Sequence, residues 1–337
     1  FNSFLCDEWY DHALTLLKTK EMPSVYVLIL NYLTYRETIR YVDELKRQQG
    51  ISLSVLIVDN CSPNNAYAAL QEAFNSDPSV DLIRTHRNGG YAYGNNAGLR
   101  HLSGREFDFL LISNNDIRLD DENLIFKLVE TYSELPSAGF AAPRMIVDGK
   151  EDRKHEAWKL PRFRDDLLAS LRTLYTLADL AGMTNRYRFP DRDHGARQVD
   201  CLNGSFFLGS REVFRLMGPM DENTFLYGEE SIMGQKIKAL GLKNYLVRSL
   251  RFHHDLGGTT RKIKSVARLQ RYWLESAVYY QKKYNGMGIA GAAMLRFLYW
   301  CWTAETRLWY LFSGQKNKTR RQHLTPGLSA YTKEKKV

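Results

Sequence analysis

Cysteine is scarce and unpatterned: Cys6, Cys61, Cys201 and Cys301 are scattered through 337 residues, with no CxxC spacing. That excludes a disulfide framework and a cysteine zinc site, and it suits a reducing, cytoplasmic setting. Internal repeats and low-complexity tracts are absent, so a solenoid or a tethered array is excluded. The longest uncharged runs fall short of the roughly 20 apolar residues that an easy membrane span needs. The first fourteen residues, FNSFLCDEWYDHAL, carry three acids and no basic n-region, so no signal peptide is expected there. The glycines at 89, 90, 94 and 98 do not form GxGxxG, which leaves a dinucleotide fingerprint unsupported.

Charge of one sign is missing from the end of the chain. From Arg261 to Val337 there are sixteen Lys/Arg against three Asp/Glu, whereas the preceding residues hold 31 against 35. The body is mildly acidic and the net charge of +9 belongs to the last quarter. Such a block serves nucleic acid, an anionic membrane surface or solubility. No RNA- or DNA-reading motif accompanies it, so no nucleic-acid partner is expected.

What is present is an alternation of strands and helices. Ser24–Tyr32, Ile51–Asn60, Val80–Arg84 and Phe107–Ser113 read as strands, with helices over Tyr35–Gln49, Asn64–Phe74, after Gly90, and from about Asp121 to Ser133. This spacing predicts βαβ units and a mainly parallel, Rossmann-like sheet flanked by helices. Residues 148–198 are charged and irregular, with a helix near 167–180, and read as an excursion over the site. Asp200–Ser210 reads as a further strand. The domain reading is a helical lead-in over 1–22, a catalytic domain over 23–260 and a basic helical extension over 261–337.

Three strand ends turn abruptly polar: Asn31-Tyr32, Asp59-Asn60 and Asn114-Asn115-Asp116. In open α/β sheets, ligands bind beyond the carboxyl ends of strands. A carboxylate there can hold a hard divalent cation against phosphate oxygens. Asp59 suits a pyrimidine imide N–H, although DNCSPNN would also turn without a ligand. Gly89 and Gly90 permit close backbone approach to a ligand, or simply a tight turn. Glu229 and Glu230 stand at a helix start, where one can cap the helix and the other, about 100° round, can face a cleft as a general base. His253 and His254 precede Gly257-Gly258-Thr259-Thr260 and offer a metal or diphosphate ligand.

The segments LILNY, VDNCSPN, RNGGYAYGNNAGL, LISNNDIRLD, CLNGSFFLGSREVF, GPMDENTFLYGEE and HHDLGGTT follow one another between residues 24 and 260. In that order they resemble the inverting family 2 glycosyltransferases of the GT-A fold, especially the rhamnosyltransferase-like and galactofuranosyltransferase-like members that build bacterial surface polysaccharides. The resemblance implies a nucleoside-diphosphate sugar donor, a glycan or lipid-linked acceptor, and Mg2+ or Mn2+. It implies Asp116 and His254 as metal ligands, since Asn114-Asn115-Asp116 stands where the family has its DXD motif and only the last acid survives. It implies Glu230 as base with Glu229 as its supporter. The donor would then be held by Asn31, Tyr32, Asp59, Asn60, Asn88, Gly89, Gly90, Asn96, Asn114, Asn115, Gly204 and Ser205.

The rival enzyme reading, a nucleotidyltransferase, wants a basic phosphate-gripping loop early in the chain, and LNYLTYRET is poor in that respect. In the C-terminal quarter, Ile289–Phe312 is dense in aromatics, with Arg296, Thr303 and Arg307 on one stripe. With the basic run KNKTRR after it, the segment 285–321 is expected either to pack on the body or to lie on an anionic membrane surface, which would make the enzyme peripheral on the inner face of the cell membrane.

Overall fold

The computed structural model describes residues 22–190, 192–255 and 266–312. The expected lead-in, the glycines and threonines at 257–260 and the basic run after residue 312 lie outside them. The first half follows the expected alternation: β1 (Ser24–Asn31), α1 (Tyr35–Leu45), β2 (Ser52–Asp59), α2 (Ala66–Phe74), β3 (Val80–Arg84), α3 (Tyr91–Leu102), β4 (Phe109–Asn114), β5 (Ile117–Arg118) and α4 (Leu124–Glu134). Then come β6 (Ala138–Val147), β7 (Lys150–Glu151), β8 (Ala157–Trp158), α5 (Phe163–Ala169), α6 (Arg172–Leu180), β9 (Ala196–Val199), β10 (Cys201–Leu202) and β11 (Phe206–Ser210). The described chain closes with α7 (Arg211–Met217), α8 (Glu229–Ala239), β12 (Lys243–His254), α9 (Val266–Asn285) and α10 (Ile289–Phe312).

The main sheet runs β3-β2-β1-β4-β11-β6-β12-β5, with β7 on β6 and β9 on β12. Its first four strands are parallel, β11 is antiparallel to both neighbours, and β12 returns parallel to β6. The run Leu110–Ile112 is wholly buried because both faces of the sheet are covered. One core layer packs α1 and α4 against Val27, Ile29, Ile57 and Leu111; the other packs α3, α7 and α8 against Leu28, Leu56, Val58 and Leu110. Helix α3 lies unusually close to the sheet. A Cβ on Gly94 or Gly98 would come within 2.2 Å of Leu30 Cδ1 or 2.3 Å of Leu28 Cδ1.

Three features depart from the sequence expectation. The strand expected over Asp200–Ser210 is broken into β10 and β11, which join different sheets. The break is local chemistry: Asn203 Oδ1 accepts from Ser205 N (2.9 Å) and Asn203 Nδ2 donates to His155 O (2.9 Å). The helix expected near 167–180 is two helices, α5 and α6, parted where the Ser170 hydroxyl turns back to Asp166 O (2.7 Å). The long strands β6 and β12 give no clear sequence signal. Proline and arginine interrupt β6, and β12 carries a register irregularity between Val247 and Arg251.

The described cysteines, Cys61, Cys201 and Cys301, are unpaired. Helices α9 and α10 pack together through Leu274, Val278, Ala292 and Leu295, with Phe163 and Leu167 of α5 against them. The other side of α10 stays open to solvent, leaving Phe297 60% and Trp300 65% exposed. None of the described helices is long and apolar enough to cross a membrane.

Leu111 lies at the centre of β4 with no exposed surface. Truncation there removes packing from a site that cannot collapse. Leu111→Ala is expected to lower unfolding free energy by about 3 kcal/mol, read from the shift in urea midpoint at constant slope.

Candidate active site

Three adjacent strand ends are tied by one buried polar network. Asn31 Nδ2 donates to Asp59 Oδ1 (2.8 Å), and Asn31 Oδ1 accepts from Thr38 Oγ1 (2.9 Å). Asn115 Nδ2 donates to Thr34 Oγ1 (2.7 Å) and Thr38 Oγ1 (2.8 Å). Asp59 also accepts from Ser62 Oγ (2.6 Å) and Ser62 N (3.1 Å), with Arg84 Nε 3.4 Å away. Parallel pairing of β1 with β2 and β4 makes this possible, since it aligns Asn31 with Asp59 and Leu30 with Asn114.

A cleft opens above this crest. Tyr32, Asn60, Asn88, Gly90, Asn114, Asn115, Asp116, Gly204, Ser205, Glu229 and Glu230 line it. Asn60 Nδ2 donates to Asn88 Oδ1 (3.1 Å) and Gly90 O (3.0 Å), which shapes the glycine turn. Gly90 holds φ +91 and has Phe225 O 2.1 Å from where a Cβ would sit, so only glycine fits there. Asn114 N donates to Ser205 O (2.8 Å), extending the β4–β11 pairing to the cleft.

Several expected donor ligands are turned away from this cleft. Asp59 is fully buried and is absent from the cleft lining; Oδ1 is shared by Asn31 and Ser62, and Oδ2 by the Ser62 amide and Arg84, so its side chain ties the strand ends together. Asn31 is likewise consumed within the network. Asn96 sits on the far side of α3, donating to Met220 O (2.9 Å) and Glu222 Oε1 (2.7 Å) and accepting from Met220 N (2.7 Å). It clamps the loop before α8. A Cβ on Gly89 would strike the Tyr93 ring, and this glycine lies outside the main cleft at its rim, beside Asn88.

Asp116 and His254 are 138 residues apart and meet at 3.0 Å, Nε2 to Oδ1. The cause is antiparallel pairing of β12 with β5, which sets His254 opposite Ile117. Strand alternation then turns His253 the other way, to Asp120 (2.7 Å). Asp116 is 7% exposed and His254 2%. No group of three or more His, Cys, Asp or Glu that could hold a metal occurs among the described residues. The oxygen and imidazole pair still suits a divalent cation, because such ions usually complete their shell with substrate phosphates and water.

Glu229 and Glu230 open α8 after Tyr227 and Gly228, both left-handed at φ +71 and +83. A tyrosine there is strained, and the strain sets the pair at the cleft. Burial raises the pKa of both carboxyls, and the charge of Glu230 raises Glu229 further. The Gly204 amide partly offsets this at Glu230. Glu229 is nearly buried, and its Oε2 lacks a hydrogen-bond partner among the described residues. That favours the neutral form, since a bare buried carboxylate is costly. Burial and the neighbouring charge thus both act against ionisation of Glu229.

Sequence reading missed Tyr91, Asn203, Tyr227, Arg268 and Tyr272, all of which line the cleft. Tyr91 and Tyr227 adjoin Gly90 and Gly228, and that adjacency was the available signal. Arg268 and Tyr272 come from α9, and nothing in their local sequence marks them.

A mainly parallel sheet with a cleft at its strand ends, lined by Asp116 and by paired glutamates, matches the α/β architecture of the GT-A fold. The chain belongs to glycosyl transferase family 2, whose family model matches residues 24–217. It is a glycosyltransferase. It is 27% identical over 232 residues to the N-acetylglucosaminyl-diphospho-decaprenol L-rhamnosyltransferase of Mycobacterium tuberculosis, covering 66% of this chain and 73% of that protein. It is 24% identical over 222 residues to the low-salt glycan biosynthesis hexosyltransferase Agl10 of Haloferax volcanii, covering 66% and 63%. The fold matches a mannosyltransferase from Pyrobaculum calidifontis in complex with GDP-Man and Mn2+, at TM-score 0.53 and 14% identity over 96% of this chain and 92% of that one. It also matches GalNAc-T7 with UDP, GalNAc and Mn2+, at TM-score 0.56 and 14% identity over 88% and 59%.

Asp59→Ala would orphan Asn31 Nδ2 and Ser62 N and remove the carboxylate partner of the half-exposed Arg84. A loss of about 3 kcal/mol in urea unfolding is expected, as for breaking other buried charge pairs.

Proposed function

We propose that the enzyme moves a sugar from a nucleoside-diphosphate donor to a hydroxyl of a glycan or lipid-linked glycan by one inverting displacement. The observation that carries this is that Glu230 and Asp116, from distant parts of the chain, line the same cleft. Glu230, in its carboxylate form, accepts the acceptor hydroxyl's proton. The acceptor oxygen forms its bond to the anomeric carbon from one face. On the other face the bond to phosphate oxygen breaks, and the electron pair leaves with the diphosphate. Asp116 and His254 would hold Mg2+ or Mn2+, which when bound supplies positive charge to the departing diphosphate. Arg268 on the cleft wall adds a second positive charge. Tyr32, Asn60, Asn88, Gly90, Asn114, Asn115, Gly204 and Ser205 shape the donor's bed. Support comes from the family and from Mn2+ and nucleotide sugar in the fold relatives.

The same reading places the enzyme at the cytoplasmic surface of a membrane. A relative is named for a diphospho-decaprenol acceptor, and α10 turns Phe297 and Trp300, stacked at 6.2 Å, to solvent.

Glu230→Gln is expected to abolish transfer while nucleoside-diphosphate affinity stays near wild type, checked by product assay and calorimetry. Normal turnover would remove Glu230 from the mechanism. Wild-type kcat/KM should rise with pH along an acid limb lying above the ordinary glutamate value of 4.5. Because both folded-state pKa values are raised, the same pair favours folding at low pH and loses that contribution as pH climbs through the range. Asp116→Asn should raise the Mn2+ concentration for half-maximal rate at least about tenfold. Phe297→Ser with Trp300→Ser should strip binding to anionic vesicles in flotation; unchanged flotation would end the membrane assignment.

A further inference from the structure

Glu230 belongs to two cavities at once. Beyond the donor cleft, behind the wall made by Asn203, Tyr227 and Glu230, lies a second hollow of about 230 Å³. Its far side comes from elements remote in sequence: Trp158 of β8, Asp165 and Asp166 of α5, and Trp273, Tyr280 and Trp302 of α9 and α10. An in-line displacement needs its nucleophile on the face of the anomeric carbon opposite the leaving group. With the diphosphate on the Asp116 side, this hollow is where the attacking hydroxyl must come from.

Its walls carry a specific chemistry. Trp158 is fixed by Nε1 donating to Ser231 Oγ (3.3 Å), and Trp302 meets Trp273 edge to face at 6.1 Å. Asp166 Oδ2 accepts from Gln281 Nε2 (2.6 Å). Asp165 Oδ2 accepts from Arg162 N (2.8 Å), while its Oδ1 has no hydrogen-bond partner among the described residues, only the Arg164 guanidinium at 3.7 Å. His155 Nε2, also on the lining, lacks a partner too. Aromatic faces beside carboxyl oxygens match a pyranose ring, whose C–H faces are apolar and whose rim is hydroxyl. They do not match a phosphate. Of the two cations on the lining, Lys154 and Arg186, the latter is already bound to Asp179 (2.8 Å) and lies over the Tyr175 ring, while the carboxyl residues outnumber them. Three carboxyl residues, Asp165, Asp166 and Glu230, stand around the space. Burial pushes Asp166 up to about 7, which lets it donate as well as accept near neutrality.

We propose that this second hollow is the acceptor subsite and takes one uncharged sugar ring, laid against Trp158 and hydrogen-bonded through Asp165 and Asp166. The assignment rests on the transfer reading above. On a lipid-linked acceptor, the phosphate stays outside this hollow and only the terminal ring enters.

The test titrates the full chain, with UDP, dTDP or GDP plus Mn2+ present, with methyl glycosides of glucose, galactose, mannose and N-acetylglucosamine and with the matching sugar 1-phosphates. Binding is read by tryptophan fluorescence and saturation-transfer NMR. At least one methyl glycoside is expected to bind and shift the fluorescence, and its 1-phosphate to bind about tenfold or more weakly. Asp166→Asn, which keeps the shape and the Gln281 bond, and Trp158→Leu should each weaken that glycoside about tenfold without altering nucleotide affinity. Nucleotide binding with no glycoside binding, tighter binding of the 1-phosphate, or glycoside affinity untouched by both variants would each overturn the subsite while leaving the transfer reading intact. If no nucleoside diphosphate binds with Mn2+, the transfer reading fails, and this assignment falls with it.

Discussion

The hydrogen-bond network among Asn31, Asp59, Thr38 and Asn115 is the constraint on which the site depends. Each strand end would otherwise expose polar side chains that prefer water. Tying them together under cover leaves the crest rigid, and the neighbouring residues, Tyr32, Asn60 and Asn114 to Asp116, then stand at fixed positions above it. A buried network of this kind stabilises only when fully satisfied. Asp59 illustrates the consequence: it sits where a ligand-binding carboxylate was expected, but it is the keystone of the bed.

The second constraint is closure of the sheet. Strand β11 enters antiparallel between β4 and β6, and β12 carries the chain to β5 at the sheet's far end. This order brings His254 to Asp116 and sets Ser205 O on Asn114 N. The donor cleft is therefore walled by segments from both halves of the chain. Helix α8 then meets it at the strained Tyr227–Gly228 turn, with two carboxyls whose pKa values burial raises.

Legibility from sequence followed locality. The β1–α1–β2 alternation, the polar strand ends and the glutamate pair are short-range patterns, and they were readable as such. Helix α9 was readable as a helix, yet its delivery of Arg268 and Tyr272 to the cleft was not. Strand β6 was hidden because Pro143 and Arg144 break its apolar run, although Arg144 is buried against Glu151. The internal partners of Asp59 and Asn96 were not readable, because sequence identifies a polar group but not the direction in which its hydrogen bonds run.

By itself the sequence determined the fold class and the chemistry available, because hydrophobic periodicity and strand-end polarity are properties of neighbouring residues. The tertiary structure alone decided that Arg268 and Tyr272 of α9 reach the cleft, and that Trp158 and Asp166 share a hollow with Trp302. Those outcomes turn on strand register, burial and contacts between residues more than a hundred positions apart, and no local pattern encodes them.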